Sequence, residues 1–126
     1  MTQTRFESPI DAADTAAQRI QRAEAAIAGL KASFAVWARA DLQAIDDHFA
    51  NAAAAGDGAS RDASLEELRR IAHNLKGQGG TFGCDGLSAV AAELDALLKN
   101  RRDETALEPA KALISVLWAA FAREAA

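Results

Sequence analysis

Two histidines occur in this chain, and one of them stands in a setting that suits chemistry: Arg69-Arg70-Ile71-Ala72-His73-Asn74-Leu75-Lys76-Gly77-Gln78-Gly79-Gly80-Thr81-Phe82-Gly83. An imidazole has a reference pKa of about 6.5, so near pH 7 one ring nitrogen offers a free lone pair as nucleophile or metal ligand. Metal binding needs companions, and no second histidine lies three or four residues away. The single cysteine, Cys84, excludes an intrachain disulfide and any cysteine-based metal cluster, so no metal site is expected. Acyl transfer needs a paired nucleophile, and Thr81 is poorly placed, about two turns on and roughly 80° round from His73. A nucleotide-binding loop is absent, since no strand precedes these glycines and GxxxxGK[ST] does not occur. Phosphoryl acceptance fits best. The ring can attack phosphorus in line, while Lys76, one turn on, neutralises phosphoryl oxygens.

The segment that carries these residues reads as a helix. Leu65, Leu68, Ile71, Ala72 and Leu75 recur at helical intervals, and Ser64 with Glu67 has capping-box spacing. Wound at about 100° per residue, Ile71 and Leu75 point roughly 160° from His73, Phe82 roughly 180° and Leu68 roughly 220°. The apolar stripe is therefore opposite the histidine. Glu66, Arg69, Arg70, Lys76, Gly77 and Gly80 share its face, within about 60°. Leu68→Asp is thus expected to unfold the domain, and Arg69→Ala to leave its melting temperature nearly unchanged. Glycine inside a helix costs on the order of 1 kcal/mol against alanine. In a chain this rich in alanine, Gly77 and Gly80 on the exposed face suggest close approach by another molecule; the alternative is that the helix ends near Gly77 in an ordinary glycine-rich loop.

The rest of the chain supplies amphipathic helices. Half of its 126 residues are hydrophobic and only 6% aromatic, with two prolines, which favours helix over strand. Net charge is −4, against a nucleic-acid partner, which calls for a basic face. No apolar run of membrane-spanning length and no signal-peptide pattern are read, so a cytoplasmic protein with no membrane partner is expected. Residues 1–7 read as a frayed tail, and Ser8-Pro9-Ile10-Asp11 as a helix start. Apolar positions follow at Ala13, Ala17, Ile20, Ala23, Ile27, Leu30, Phe34 and Trp37. They shift by one residue and continue at Ala38, Leu42, Ile45 and Phe49. Gly29 is the candidate break, and a kinked pair of helices is favoured over a single one. The heptad-like Ile20, Ile27 and Phe34 are too few and too alanine-flanked to specify a coiled coil.

Gly56-Asp57-Gly58 reads as a turn, and the segment 52–60 as the end of that first helical run. After the histidine helix, Asp85 can cap a helix buried through Leu87, Val90, Ala91, Leu94 and Leu97. The last helix starts at Thr105 or Pro109 and buries Leu113, Leu117 and Phe121, with Ile114 and Trp118 on its flank. His48 reads as a partly exposed helix residue, and Trp37, Trp118 and Phe121 as core. Stripes of this kind must cover one another. The expected fold is all-α, an antiparallel up-down four-helix bundle over residues 31–126 with an additional N-terminal helical segment over residues 1–30.

HNLKGxxxxxG, from His73 to Gly83, resembles the signature of the histidine-containing phosphotransfer (HPt) domain of multistep phosphorelays. The resemblance implies His73 as phospho-acceptor, Lys76 as the phosphoryl-stabilising residue, and a docking face of Arg69, Arg70, Gly77, Gly80 and Gly83. It implies receiver domains of response regulators and hybrid histidine kinases as partners. No cofactor of its own is implied, because the receiver supplies Mg²⁺. Gln78 stands where many relatives carry a small residue, and is expected at the bundle edge. A sensor kinase's dimerisation helix is a poorer match: Asn74 rather than an acidic residue follows His73, and no proline appears before Pro109. With no room for an ATP-binding domain, autonomous kinase activity is not expected, and the chain is taken as a monomer. A helical adaptor that docks receivers or kinases without carrying phosphate is the alternative from a different class.

Overall fold

The computed structural model describes the backbone of residues 9–126 and side chains from residue 15 onward. Residues 1–7 and the expected cap Ser8 lie outside the described residues, as do the side chains of Asp11 and Ala13. Among the described residues there are four α-helices: α1 (Pro9–Ala54), α2 (Gly58–Thr81), α3 (Asp85–Asn100) and α4 (Leu107–Glu124), with a 3₁₀ turn at Glu104–Ala106. No strand occurs among the described residues. The chain divides into two units, Met1–Ser33 and Phe34–Ala126. The second is the helical bundle. In the first, every side chain from Thr15 to Ser33 is exposed.

Short links and buried stripes build the bundle. Phe34, Ala38, Leu42, Ile45 and Ala52 come from α1 and Leu65, Leu68, Ala72 and Leu75 from α2. Against them pack Leu87, Ala91, Leu94 and Leu98 of α3 and Ala110, Ile114, Leu117 and Phe121 of α4. The last two sets share one spacing of plus four, plus seven and plus eleven, the drift that a 3.6-residue turn imposes. That drift buries Leu98 where the sequence pattern pointed to Leu97, and Ile114 where it pointed to Leu113. Leu97 and Leu113 pack at the edge of the core. Full burial of one such leucine is worth about 1.5–3 kcal/mol.

The connections differ in detail from the sequence expectation. α1 runs as one continuous helix through Gly29 rather than as two helices. α2 starts six residues before Ser64, because Asp57 caps it: the Asp57 carboxylate accepts from the Ser60 amide at 2.7 Å and the Ser60 hydroxyl at 3.1 Å. Those bonds, the amide first, hold the Asp57 carboxyl below its ordinary value. Arg61 closes the other side of the same turn by donating to the Ala52 and Ala55 carbonyls at 3.2 and 2.9 Å. Cys84 precedes α3 without a side-chain cap, and the Glu124 carboxylate, from the end of α4, accepts from the Leu87 amide at 3.0 Å instead. Trp37 is exposed rather than core. Trp118 stands edge-on to Phe121 and donates to Asp46 at 3.1 Å.

One segment, Glu104–Glu124, does reach the length and mean hydropathy (1.2) that crossing a membrane requires. Its apolar face is occupied within the protein, since Ala110, Ile114, Leu117, Ala120 and Phe121 lie in the bundle core.

Candidate functional site

Helix α2 presents His73 to solvent because the residues that fix its orientation are on the far side. Leu65, Leu68, Ala72 and Leu75 are fully buried. Phe82, past the helix end, stacks on Phe34 with ring centroids 5.0 Å apart. The His73 side chain is 57% exposed, and Nδ1 lies 3.0 Å from Oδ2 of Asp95 on α3. Two acceptors would repel at that distance, so Nδ1 carries the hydrogen and Nε2 is left as the lone-pair nitrogen. No protein partner of Nε2 occurs among the described residues.

Asp95 is the residue that sequence reasoning missed. At 5% exposure it is the one buried charged side chain among the described residues. It gathers three donors. Arg69 donates to Oδ1 at 3.0 Å, His73 to Oδ2 at 3.0 Å, and the Lys76 ammonium lies 3.6 Å from Oδ2. Burial pushes the Asp95 carboxyl up, but the hydrogen bonds from His73 and Arg69 and the charges of His73 and Lys76 outweigh it. The carboxyl therefore lies below its ordinary value and is ionised at neutral pH. Arg69 also holds Glu66 in a two-pronged pair at 2.8 and 2.9 Å, which lowers the Glu66 carboxyl. Glu66 and then Asp95 raise the Arg69 guanidinium above its ordinary value. Arg102 reaches Glu66 at 3.4 Å and Asp62 at 2.9 Å. A chain of alternating charges thus runs from Asp62 to His73.

Close contact between α2 and α3 brings Asp95 under the ring. A Cβ on Gly79 would come within 3.3 Å of the Ser88 Cβ and backbone nitrogen, so a larger residue there would push the helices apart by a few tenths of an ångström. The Ser88 hydroxyl donates to the Lys76 carbonyl at 2.6 Å and ties the two helices one turn from His73.

The expected docking residues separate into three kinds. Gly77 and Gly80 are exposed; a Cβ on Gly77 would meet nothing within 4 Å, and one on Gly80 only the Ser88 hydroxyl at 3.6 Å. No internal packing requires a glycine at either position. Gly83 is different: its φ of +76° belongs to the left-handed region. There the Cys84 amide bonds the Gly79 carbonyl at 2.8 Å and the Gly83 amide bonds Gly80 at 3.2 Å, a Schellman termination of α2. Its glycine is explained by ending the helix. Arg70 is exposed, with only loose pairs to Glu66 and Glu67 at 3.8 and 4.0 Å. Arg69 is held inward by Glu66 and Asp95, and acts on His73 through Asp95.

Two shallow depressions flank the ring. Asn74, Gly77, Gln78, Thr81 and Phe82 line one with His73, and Arg69, Arg70 and Asn74 line the other. Gln78 is therefore on the rim of the histidine depression. The Thr81 hydroxyl bonds back to the Gly77 carbonyl at 3.1 Å, so it does not address His73. Among the described residues no group of three or more His, Cys, Asp or Glu could hold a metal ion. The arrangement is a solvent-facing nucleophilic nitrogen, backed by a carboxylate and flanked by an ammonium and bare backbone.

Comparison with protein-family models gives a match to the Hpt domain over residues 11–122. Comparison with curated proteins gave no match, nor did comparison with solved structures.

Proposed function

This chain belongs to the Hpt domain family, whose members are phosphotransfer modules of phosphorelays, and from that premise we propose that His73 is its phospho-acceptor. The phosphoryl group comes from the aspartate of a receiver domain and passes to a receiver of another response regulator. The observation that carries this reading is the His73–Asp95 pair: the exposed ring is held through Nδ1 at 3.0 Å by a buried carboxylate, with Nε2 outward.

The chemistry follows from that geometry. The Nε2 lone pair attacks phosphorus of the aspartyl phosphate. The N–P bond forms as the P–O bond to the aspartyl carboxylate breaks, and the carboxylate departs as the anion. The ring becomes positively charged while Nδ1 keeps its proton, and Asp95 lies where it offsets that charge. Lys76, 3.6 Å from Asp95 and 40% exposed, can turn its ammonium from Asp95 to the incoming phosphoryl oxygens. Gly77 and Gly80 leave room for the receiver's loops beside the ring, and Arg70 meets its acidic pocket. Mg²⁺ arrives with the receiver. Onward transfer is the same step reversed on a second receiver. The chain is a phosphocarrier without autonomous kinase activity, and acts in the cytoplasm, where its receiver partners are.

The test is transfer from a panel of phosphorylated receiver domains to the wild-type chain and to His73→Gln. Acid-labile, alkali-stable label on the wild type alone is the expected result. Receivers that bind both proteins equally and label neither would replace this reading with that of a docking adaptor.

A further inference from the structure

Every described side chain of α1 from Thr15 to Ser33 is exposed, including the apolar ones: Ile20 is 61%, Ile27 55% and Leu30 53% exposed. Most protein helices gain their stability by covering an apolar face. The spacing is too short to specify a partner by itself, but the face it marks is uncovered and has heptad register. With Ile20 as position a of a heptad, Ala23 falls at d, Ile27 at a and Leu30 at d. β-branched residues at a with leucine at d are what a parallel two-stranded coiled coil selects. The flanks agree. Arg19 falls at g and Glu24 at e, and in a parallel pair g faces the e position five residues on in the other strand. Arg19 and Glu24 make no ion pair among the described residues.

We propose that this segment pairs in parallel with the same segment of a second copy of the chain. Ile20, Ala23, Ile27 and Leu30 form the seam, and two symmetric Arg19–Glu24 ion pairs flank it. The protein is then a homodimer rather than the monomer expected from its sequence. Charge favours a second copy over a lipid surface, because Glu24 accompanies Arg19, Arg22 and Lys31 and leaves no uniformly basic face. The next a position in sequence, Phe34, is buried in the bundle core, so the seam ends there.

Sedimentation of the full chain tests this independently of phosphotransfer. The wild type is expected at twice the chain mass of 13.2 kDa, and Ile27→Asp at the chain mass with the bundle's thermal transition unchanged. Arg19→Glu weakens the dimer at least severalfold, and the double variant Arg19→Glu/Glu24→Arg restores it, since the ion pair is re-formed with its signs exchanged. A wild type that sediments at the chain mass at every concentration overturns the proposal. So does a dimer that Ile27→Asp leaves intact, or one that the charge exchange fails to restore.

Discussion

Replacing Asp95 with alanine removes the one acceptor shared by Arg69, His73 and Lys76. The three donors do not suffer equally. Lys76 and His73 are largely solvated and recover water, and Arg69 keeps its two-pronged pair with Glu66. What is lost is chiefly one charge-assisted hydrogen bond at 3.0 Å in a buried setting. A bond of that kind contributes about 1.5–3 kcal/mol. For a bundle of this size that corresponds to a melting temperature lower by roughly 10 °C. The pH dependence identifies the cause. The folded-state carboxyl is held below its ordinary value, so its contribution is present above about pH 4 and is lost as pH falls through the lower folded value. The gap between wild type and Asp95→Ala should therefore be constant from pH 7 to about pH 5 and shrink below about pH 4. The acceptor rate should fall about tenfold, the equivalent of one hydrogen bond of about 1.4 kcal/mol no longer holding the ring tautomer. Denaturant unfolding across pH and single-turnover transfer measure the two effects. A pH-independent stability gap, or an unchanged rate at saturating donor, would refute the assignment of Asp95 as the group that positions His73.

Glycine substitutions in α2 should separate docking from folding. Gly77→Ala meets no atom and removes a helix-interior glycine, so it should stabilise the fold by about 1 kcal/mol while slowing transfer about tenfold by crowding the receiver. Gly83→Ala should do the opposite, costing about 1–2 kcal/mol at the left-handed position with transfer unchanged while folded. Leu68→Asp buries an unpaired carboxylate and should abolish cooperative melting, while Arg70→Ala should stay within about 0.5 kcal/mol of wild type. Arg69→Ala, which helix facing alone marks as neutral, should lower the melting temperature. It deprives Asp95 of its bonded cation, and thermal melts of the three variants side by side check the order.

The histidine face was legible because a helix's facing depends only on local spacing. Ile71, Leu75 and Phe82 opposite His73 fix the ring outward whatever the bundle does, and the buried Leu68, Ala72 and Leu75 agree. Asp95 was not legible in the same way, since its place beside His73 depends on how closely α3 packs on α2. The one local signal is its position four residues after Ala91 and next to Leu94, which puts a carboxylate inside a buried stripe. Gly79 shows the same limit: it sits in phase with the apolar stripe, but its need for glycine is set by Ser88 of another helix. At the start of α2, Ser64 and Glu67 offered a cap, and Asp57 with Ser60 supplied a better one seven residues earlier. Glycines on both sides of Asp57 gave that segment the look of a turn.

Phosphate held on Nε2 of His73 is directly visible by phosphorus–nitrogen correlation NMR on ¹⁵N-histidine-labelled chain phosphorylated by a receiver donor. One phosphorus resonance coupled to Nε2 of His73, with Nδ1 still protonated, is the expected result. Coupling to Nδ1, or to His48, would contradict it.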